Sequence, residues 1–226
     1  MPAKSIVPMN RVMSTVEYKN MKFVIFDAPT DSSLDLYLQE LQTRNVSHIV
    51  RVCEPTYNAD RALSIGIQVL DLGFADGTVP PASVVSQFLK LCNYRFANTT
   101  PNNKAIGIHC VAGLGRAPTL VAIALIESGM SAIEAVEFVR ACRRNALNIV
   151  QLNYLVDGYK PVSGTIKKVA GGGGSGYAWF VWKKKSGSSL DSSSSSIGPN
   201  KNSTSSSSSS SPILHSLQLF LQKLSN

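Results

Sequence analysis

The run His109-Cys110-Val111-Ala112-Gly113-Leu114-Gly115-Arg116-Ala117-Pro118 places five residues, two of them glycine, between a cysteine and an arginine. A loop of that length curls until its backbone N–H groups converge on one point, and a helix starting at its far end adds positive partial charge there. Gly113 and Gly115 are expected to supply the unusual dihedrals that the curl needs. The planar guanidinium of Arg116 matches two oxygens of a tetrahedral dianion. The same positive field favours a thiolate at Cys110, the form that attacks phosphorus. The chemistry expected is phosphate-ester hydrolysis by two displacements through a phosphocysteine. Cys110 is then the nucleophile and Arg116 the clamp, with Val111, Ala112, Gly113, Leu114, Gly115 and Arg116 binding the phosphate. His109 reads as a structural group bonded to backbone.

Such chemistry also needs an acid to protonate the leaving oxygen. The long loop from Asp71 to Pro81 holds two acidic residues. Asp71 directly follows a strand pattern and reads as a turn or capping residue, whereas Asp76 sits mid-loop before Gly77, where a segment can close over a pocket. Asp76 is the expected general acid.

The elements that must position these groups alternate. Lys22–Asp27, Val46–Val52, Ile67–Leu70 and Ala105–His109 read as strands. Helical spacing runs through Leu34, Leu38 and Leu41, with Asp31 to Ser33 as N-cap candidates, and through Val84–Phe96. Thr119–Ile126 is apolar all round, as in a buried helix, with Pro118 suited to its first turn. Ser131 with Glu134 predicts a capping box for a helix running to about Arg144, and Gln151–Tyr159 a last helix. Strands alternating with helices predict an α/β domain with a mainly parallel central sheet flanked by helices. In such sheets ligands bind beyond the carboxyl ends of strands, where Cys110 falls.

Of the 226 residues, those from 171 onward are rich in glycine and serine, a composition too polar to bury a core. The expected organisation is an N-terminal extension over 1–15, a catalytic domain over 16–161, and a Gly/Ser-rich, lysine-containing tail over 162–226 that is expected to be disordered. That tail carries seven lysines against Asp191 alone, so most of the net charge of +8 lies there and the domain itself is nearly balanced. A nucleic-acid binder carries its basic footprint on the folded surface, so no nucleic-acid partner is expected. The four cysteines, Cys53, Cys92, Cys110 and Cys142, have no metal-ligand spacing, and neither a metal nor a cofactor is expected. The N-terminus lacks the apolar core of a secretory signal, and no apolar run has the length of a membrane span, which points to a cytoplasmic or nuclear protein. Within the tail, Tyr177-Ala178-Trp179-Phe180-Val181-Trp182 followed by Lys183, Lys184 and Lys185 suits weak contact with a membrane surface. Apolar residues from Ile213 to Leu224 have helical spacing in a segment too short to be stable alone.

Tyr18-Lys19-Asn20-Met21-Lys22-Phe23, the run Ile49 to Glu54, His109 to Pro118 and Leu125-Ile126-Glu127 resemble the phosphatases of regenerating liver, the type IVA protein tyrosine phosphatases. The similarity extends over roughly Val16 to Pro161. The resemblance implies a cysteine-dependent protein tyrosine phosphatase fold, Asp76 as general acid, and Cys53 as the cysteine that forms a redox disulfide with Cys110. Ala117 stands where the wider superfamily has a hydroxyl residue that assists breakdown of the phosphocysteine, which implies low turnover. The resemblance further implies binding to CBS-domain magnesium-transport proteins, alongside phosphotyrosine protein substrates. Two departures stand out. The acid loop Gly73-Phe74-Ala75-Asp76-Gly77-Thr78-Val79-Pro80-Pro81 lacks the family's proline before the phenylalanine and its paired aspartates, and is one residue longer before the prolines. The sequence ends Lys223-Leu224-Ser225-Asn226 with no cysteine after Cys142, so prenylation is not expected. Two rival readings share the loop: a binding module for the transport proteins in which catalysis is incidental, and a phosphoinositide phosphatase. Uncharged Val111, Ala112 and Leu114 weigh against the second, because phosphoinositide enzymes often place lysines inside this loop.

Overall fold

A computed structural model of the chain describes residues 13–97 and 104–162. These fall in one compact unit, Met1–Gly172. The extension before residue 13, and the tail beyond 162 with its aromatic–lysine run and closing apolar segment, lie outside the described residues.

Five strands form the sheet: β1 (Ser14–Tyr18), β2 (Met21–Asp27), β3 (Val46–Arg51), β4 (Gln68–Asp71) and β5 (Ala105–Cys110), in the order β1-β2-β5-β3-β4. β1 runs antiparallel to β2 and every other pair is parallel. β1 has no counterpart in the sequence reading, which began the domain inside it at Val16. The central strands β2 and β5 are buried almost throughout, as expected of parallel strands covered on both faces. Packing there is tight at Gly107, where a Cβ would come within 3.2 Å of both Phe26 and Val46 and push their side chains aside.

Alternation along β2 divides the core. Phe23 faces one side and meets Phe88 and Phe96 of α3 (Ala82–Phe96), at ring-centroid distances of 6.1 and 5.3 Å. Phe26 faces the other, against Tyr37 of α1 (Leu34–Thr43) and the His109 ring. A short helix, α2 (Asp60–Ser64), lies in the β3–β4 connection, and an ion pair from its Arg61 to Asp35 joins it to α1. α4 (Arg116–Glu127) is buried along its whole length. It begins three residues before the apolar run that marks it in sequence. α5 (Ala132–Cys142) has the capping box expected of Ser131 and Glu134. The last helix is α6 (Ile149–Asn153), continued by a π-helical turn over Tyr154–Gly158, and a second capping box from Asn148 and Gln151 starts it two residues earlier than its apolar pattern suggests.

The N-cap expected for α1 takes another form. Ser33 makes no side-chain cap; its hydroxyl instead accepts from the Thr30 N–H, while Asp31 accepts from the Asn58 N–H across the neighbouring loop. The sequence offered three competing oxygens, and contacts from a distant segment chose among them.

Candidate active site

β5 sits between β2 and β3, so its carboxyl end opens where connections leave toward both sides of the sheet. Cys110 is its last residue and is 3 % exposed. The loop that follows is held by its carbonyls. Val111 O accepts from the Ala28 N–H at 2.9 Å, Ala112 O from Arg143 Nη2 at 3.1 Å, and Gly113 O from Arg143 Nε at 2.9 Å. Leu114 O accepts from the Leu147 N–H at 2.7 Å, and Gly115 O from Thr119 Oγ1 at 2.9 Å. In a trans peptide each carbonyl points opposite to the N–H that follows it. Five carbonyls drawn outward therefore turn the amides of residues 112–116 toward the inside of the loop, which the start of α4 closes.

Both loop glycines take unusual backbone angles. Gly113 has φ +66, and a Cβ on it would sit 2.4 Å from the Phe26 carbonyl oxygen. Gly115 has φ −115 with ψ −86, outside the ordinary helical and extended regions. Space is short there as well, since a Cβ would stand 3.1 Å from Gln151 Nε2.

Arg116 is 6 % exposed; its Nη1 donates to Phe74 O at 2.9 Å. Asp76 Oδ1 lies 3.1 Å from Arg116 Nε, yet Nε makes no directed hydrogen bond. The contact is an ion pair off the N–H axis. It brings the carboxylate of Asp76, 77 % exposed, to the rim of the loop. Asp71 is engaged elsewhere: Arg51 Nε and Nη2 grip its two oxygens at 2.5 and 2.9 Å, and that bond holds its carboxyl below the usual range. Ala117 is fully buried, and Val111 and Leu114 are exposed on the rim.

His109 is fully buried, directly before Cys110 in the chain, and burial pushes its pKa down to about 4. It is neutral near pH 7 and carries one proton. Nδ1 faces the Cys110 carbonyl at 3.4 Å, which only accepts, so the proton belongs there. Nε2 then accepts from Tyr57 Oη at 2.9 Å, and burial keeps that phenol protonated. His109 thus has the backbone-bonded structural place expected of it.

β3 and β5 are neighbours, with Arg51 in register with His109, so Cys53 and Cys110 leave the same edge of the sheet. Cys53 Sγ lies 4.0 Å from His109 Nδ1, no disulfide joins it to Cys110, and burial pushes the Cys53 thiol up. Cys92 is wholly buried on α3, as its helical position suggested.

Several groups of the site carried no local signal. Arg143 reaches back 30 residues to the loop, and Tyr57 reaches His109 across 52. Leu147 offers its N–H to Leu114 O from a left-handed backbone (φ 69), fixed from behind by Arg140 on its own carbonyl. A leucine held there costs about 1–3 kcal/mol, so surrounding contacts must impose it. Asn148 and Gln151 were findable from their capping-box spacing, and their side chains also bond Gly77 O and Thr78 O of the acid loop.

Comparison with known proteins agrees with this geometry. Residues 27–130 match a protein-family profile described as a polymorphic toxin system, DSP-PTPase phosphatase. A probable protein tyrosine phosphatase type IVA A of Dictyostelium discoideum is 52% identical over 142 residues, 63% of this chain and 84% of that protein. The PRL-1 phosphatase of Drosophila melanogaster is 47% identical over 146 residues, 65% of this chain and 81% of that protein. Among solved structures, a putative protein tyrosine phosphatase from Leishmania major is 40% identical, covering 66% of this chain and 98% of that one, with a TM-score of 0.60. A strand–loop–helix anion receptor with a cysteine at its base, in a chain this similar to those proteins, leaves one assignment: the chain belongs to the type IVA protein tyrosine phosphatase family.

Proposed function

We propose that this protein tyrosine phosphatase works through Cys110 as nucleophile, with the inward-turned amides of the loop from Val111 to Arg116 and the guanidinium of Arg116 holding the phosphoryl oxygens. The observation that carries the reading is the set of five outward-held carbonyls, which preorganises N–H donors where charge develops in the transition state. The thiolate attacks phosphorus in line, the bond to the leaving oxygen breaks, and Asp76 gives that oxygen its proton. A dianion on the Arg116 fork replaces the ion pair that Asp76 otherwise makes there, which frees the Asp76 side chain to reach the leaving oxygen. Water then cleaves the phosphocysteine. Ala117 offers no hydroxyl to assist this step, so hydrolysis of the intermediate limits turnover.

Phosphotyrosine proteins are the substrate class, and a CBS-domain magnesium-transport protein is a partner that the family resemblance supports. Cys53 is the thiol that captures oxidised Cys110, a role supported by their delivery to one sheet edge. A cytoplasmic setting suits four free cysteines. Rapid-quench kinetics on a phosphotyrosine peptide test the mechanism. A burst of one equivalent of phenol followed by slow release is expected, with Ala117→Ser speeding the slow phase and Cys110→Ser removing both phases. Burst-free turnover, or turnover surviving in Cys110→Ser, would contradict it.

A further inference from the structure

The protein builds two capping boxes from different chemistry. At the start of α5 the box is Ser131 with Glu134, and the Glu134 carboxylate suits the positive end of a helix. At the start of α6 it is Asn148 with Gln151. Asn148 Oδ1 accepts from the Gln151 N–H at 2.9 Å, and Gln151 Oε1 from the Asn148 N–H at 3.1 Å. Capping uses only the oxygen of each side chain. A serine or an aspartate at 148 would cap as well as asparagine does.

What the amides add is a nitrogen. Asn148 Nδ2 donates to Gly77 O at 3.1 Å and Gln151 Nε2 to Thr78 O at 3.3 Å, the carbonyls of the two residues that follow Asp76. Backbone N–H groups hold the oxygen ends and carbonyls hold the nitrogen ends, so each amide has one orientation that satisfies both. Gln151 is fully buried, and its amide packs beside the phosphate loop, where a Cβ on Gly115 would meet Nε2 at 3.1 Å and Oε1 at 3.3 Å. It therefore stands between the phosphate loop and the acid loop. On the other side of Asp76, Arg116 Nη1 holds Phe74 O, so the acid is bracketed by tethers.

We propose that Asn148 and Gln151 are positioning residues for the general acid: their oxygens start α6, and their nitrogens hold the backbone after Asp76 at the rim of the phosphate loop. Both are amides because the two tasks need an acceptor and a donor on one side chain. A carboxylate has no donor, and a serine hydroxyl at 148 is too short to reach the acid loop. This inference rests on Asp76 being the proton donor.

Kinetics of the full chain on two substrates separate positioning from folding, with melting temperature recorded for every variant. A phosphotyrosine peptide has a leaving group that needs a proton, and an activated aryl phosphate has one that does not. Asn148→Ser and Asn148→Asp keep the cap and lose the donor. Both should melt as the wild type does, yet slow the peptide about threefold to tenfold, the scale of one hydrogen bond, and the activated ester far less. Gln151→Met loses cap and donor together, so it should lower the melting temperature as well as slow the peptide. With Asp76→Ala already present, the peptide-selective part of all three losses should vanish, because residues that act through one group are not additive. Peptide turnover unchanged in both Asn148 variants sinks the proposal. So does an equal loss on the two substrates, or a peptide-selective loss that persists in the Asp76→Ala background. If Asp76→Ala itself shows no peptide-selective loss, the acid assignment and this inference fall together. A peptide-selective loss in Asp76→Ala with none in the Asn148 variants overturns the inference alone.

Discussion

The phosphate loop and the acid loop stand against each other at one edge of the sheet and are built on opposite principles. In the first, consecutive carbonyls from Val111 to Gly115 are each tied to backbone or to buried side chains of the domain. The second is largely exposed, and its middle is tied by side-chain tips: Arg116 on Phe74 O, Asn148 on Gly77 O and Gln151 on Thr78 O. An anion receptor gains from being rigid before its ligand arrives, because no reorganisation is then needed as charge develops. A proton donor must let the substrate in and close behind it. The tethers of the Asp76 loop also come from the other loop's side, through Arg116 itself and the start of α6, so the proposed roles would couple occupation of the Arg116 fork to the position of Asp76.

The largest effect that tests this division is removal of the acid. Asp76→Ala should slow peptides with poor phenol leaving groups by ~10²–10⁴, and activated aryl phosphates far less, since only the former need a proton. Asp71→Asn should not reproduce this pattern, because Asp71 is committed to Arg51. Equal losses on both substrate types in Asp76→Ala would mean that the exposed loop serves the receptor and not the proton.

Rigidity is tested next. Gly113→Ala places a Cβ 2.4 Å from the Phe26 carbonyl oxygen in a left-handed backbone. The Phe26 atoms in the way are backbone, so the loop must shift, and displacement on the order of 1 Å at a reacting centre costs about 10²-fold in rate. Activity should fall at least that far on every substrate, activated ones included. Retention of activity on activated esters would show that the receptor adapts.

A third test acts through pH. Burial holds His109 at about 4 against an ordinary value of 6.5, so below 6.5 the unfolded chain takes up a proton that the folded chain refuses. Stability should therefore fall as pH drops from 6.5 toward 4, by on the order of 2–3 kcal/mol, and should be flat above that window. Asp71, whose carboxyl is held below 3.8, adds its own loss only at still lower pH. Urea unfolding across the window checks this, with His109→Asn expected to remove most of the slope. The same fall in His109→Asn would assign it to other groups.

What could be read from the sequence follows the same division. The phosphate loop was legible because its requirements are local: a cysteine, an arginine at fixed spacing, a left-handed glycine and a helix start are all written within ten residues. The parallel strands and buried α4 were legible for a similar reason, as apolar runs of characteristic length. What holds the loop was not. Arg143 and Tyr57 act through contacts that exist only once distant segments are packed, and nothing beside them in the chain marks them. β1 escaped notice because only Val16 is fully buried on this edge strand, so it lacks the signature of its neighbours. Gly115 shows a subtler limit. Its unusual backbone angles follow from the loop itself, but the crowding by Gln151, far along the chain, left no mark beside it.

The smallest effect sharpens the comparison most, because it repeats one substitution in the other loop. Gly77 has φ +71, close to the +66 of Gly113, so Ala carries the same intrinsic backbone penalty at both. Around Gly77 the nearest atom to a new Cβ is Asn148 Nδ2 at 3.8 Å, an ordinary contact with a movable side chain. Only the left-handed cost remains, about 1 kcal/mol, and an exposed loop absorbs part of it by shifting. Gly77→Ala should lower stability by no more than that. It should change turnover of activated esters little, and slow poor leaving groups by a few-fold as the Asp76 carboxyl moves with its neighbour. Paired denaturation and kinetics on Gly77→Ala and Gly113→Ala give the comparison directly. If the Gly77 variant loses as much as the Gly113 variant, the acid loop is as constrained as the receptor, and its exposure would then not be a sign of freedom to open.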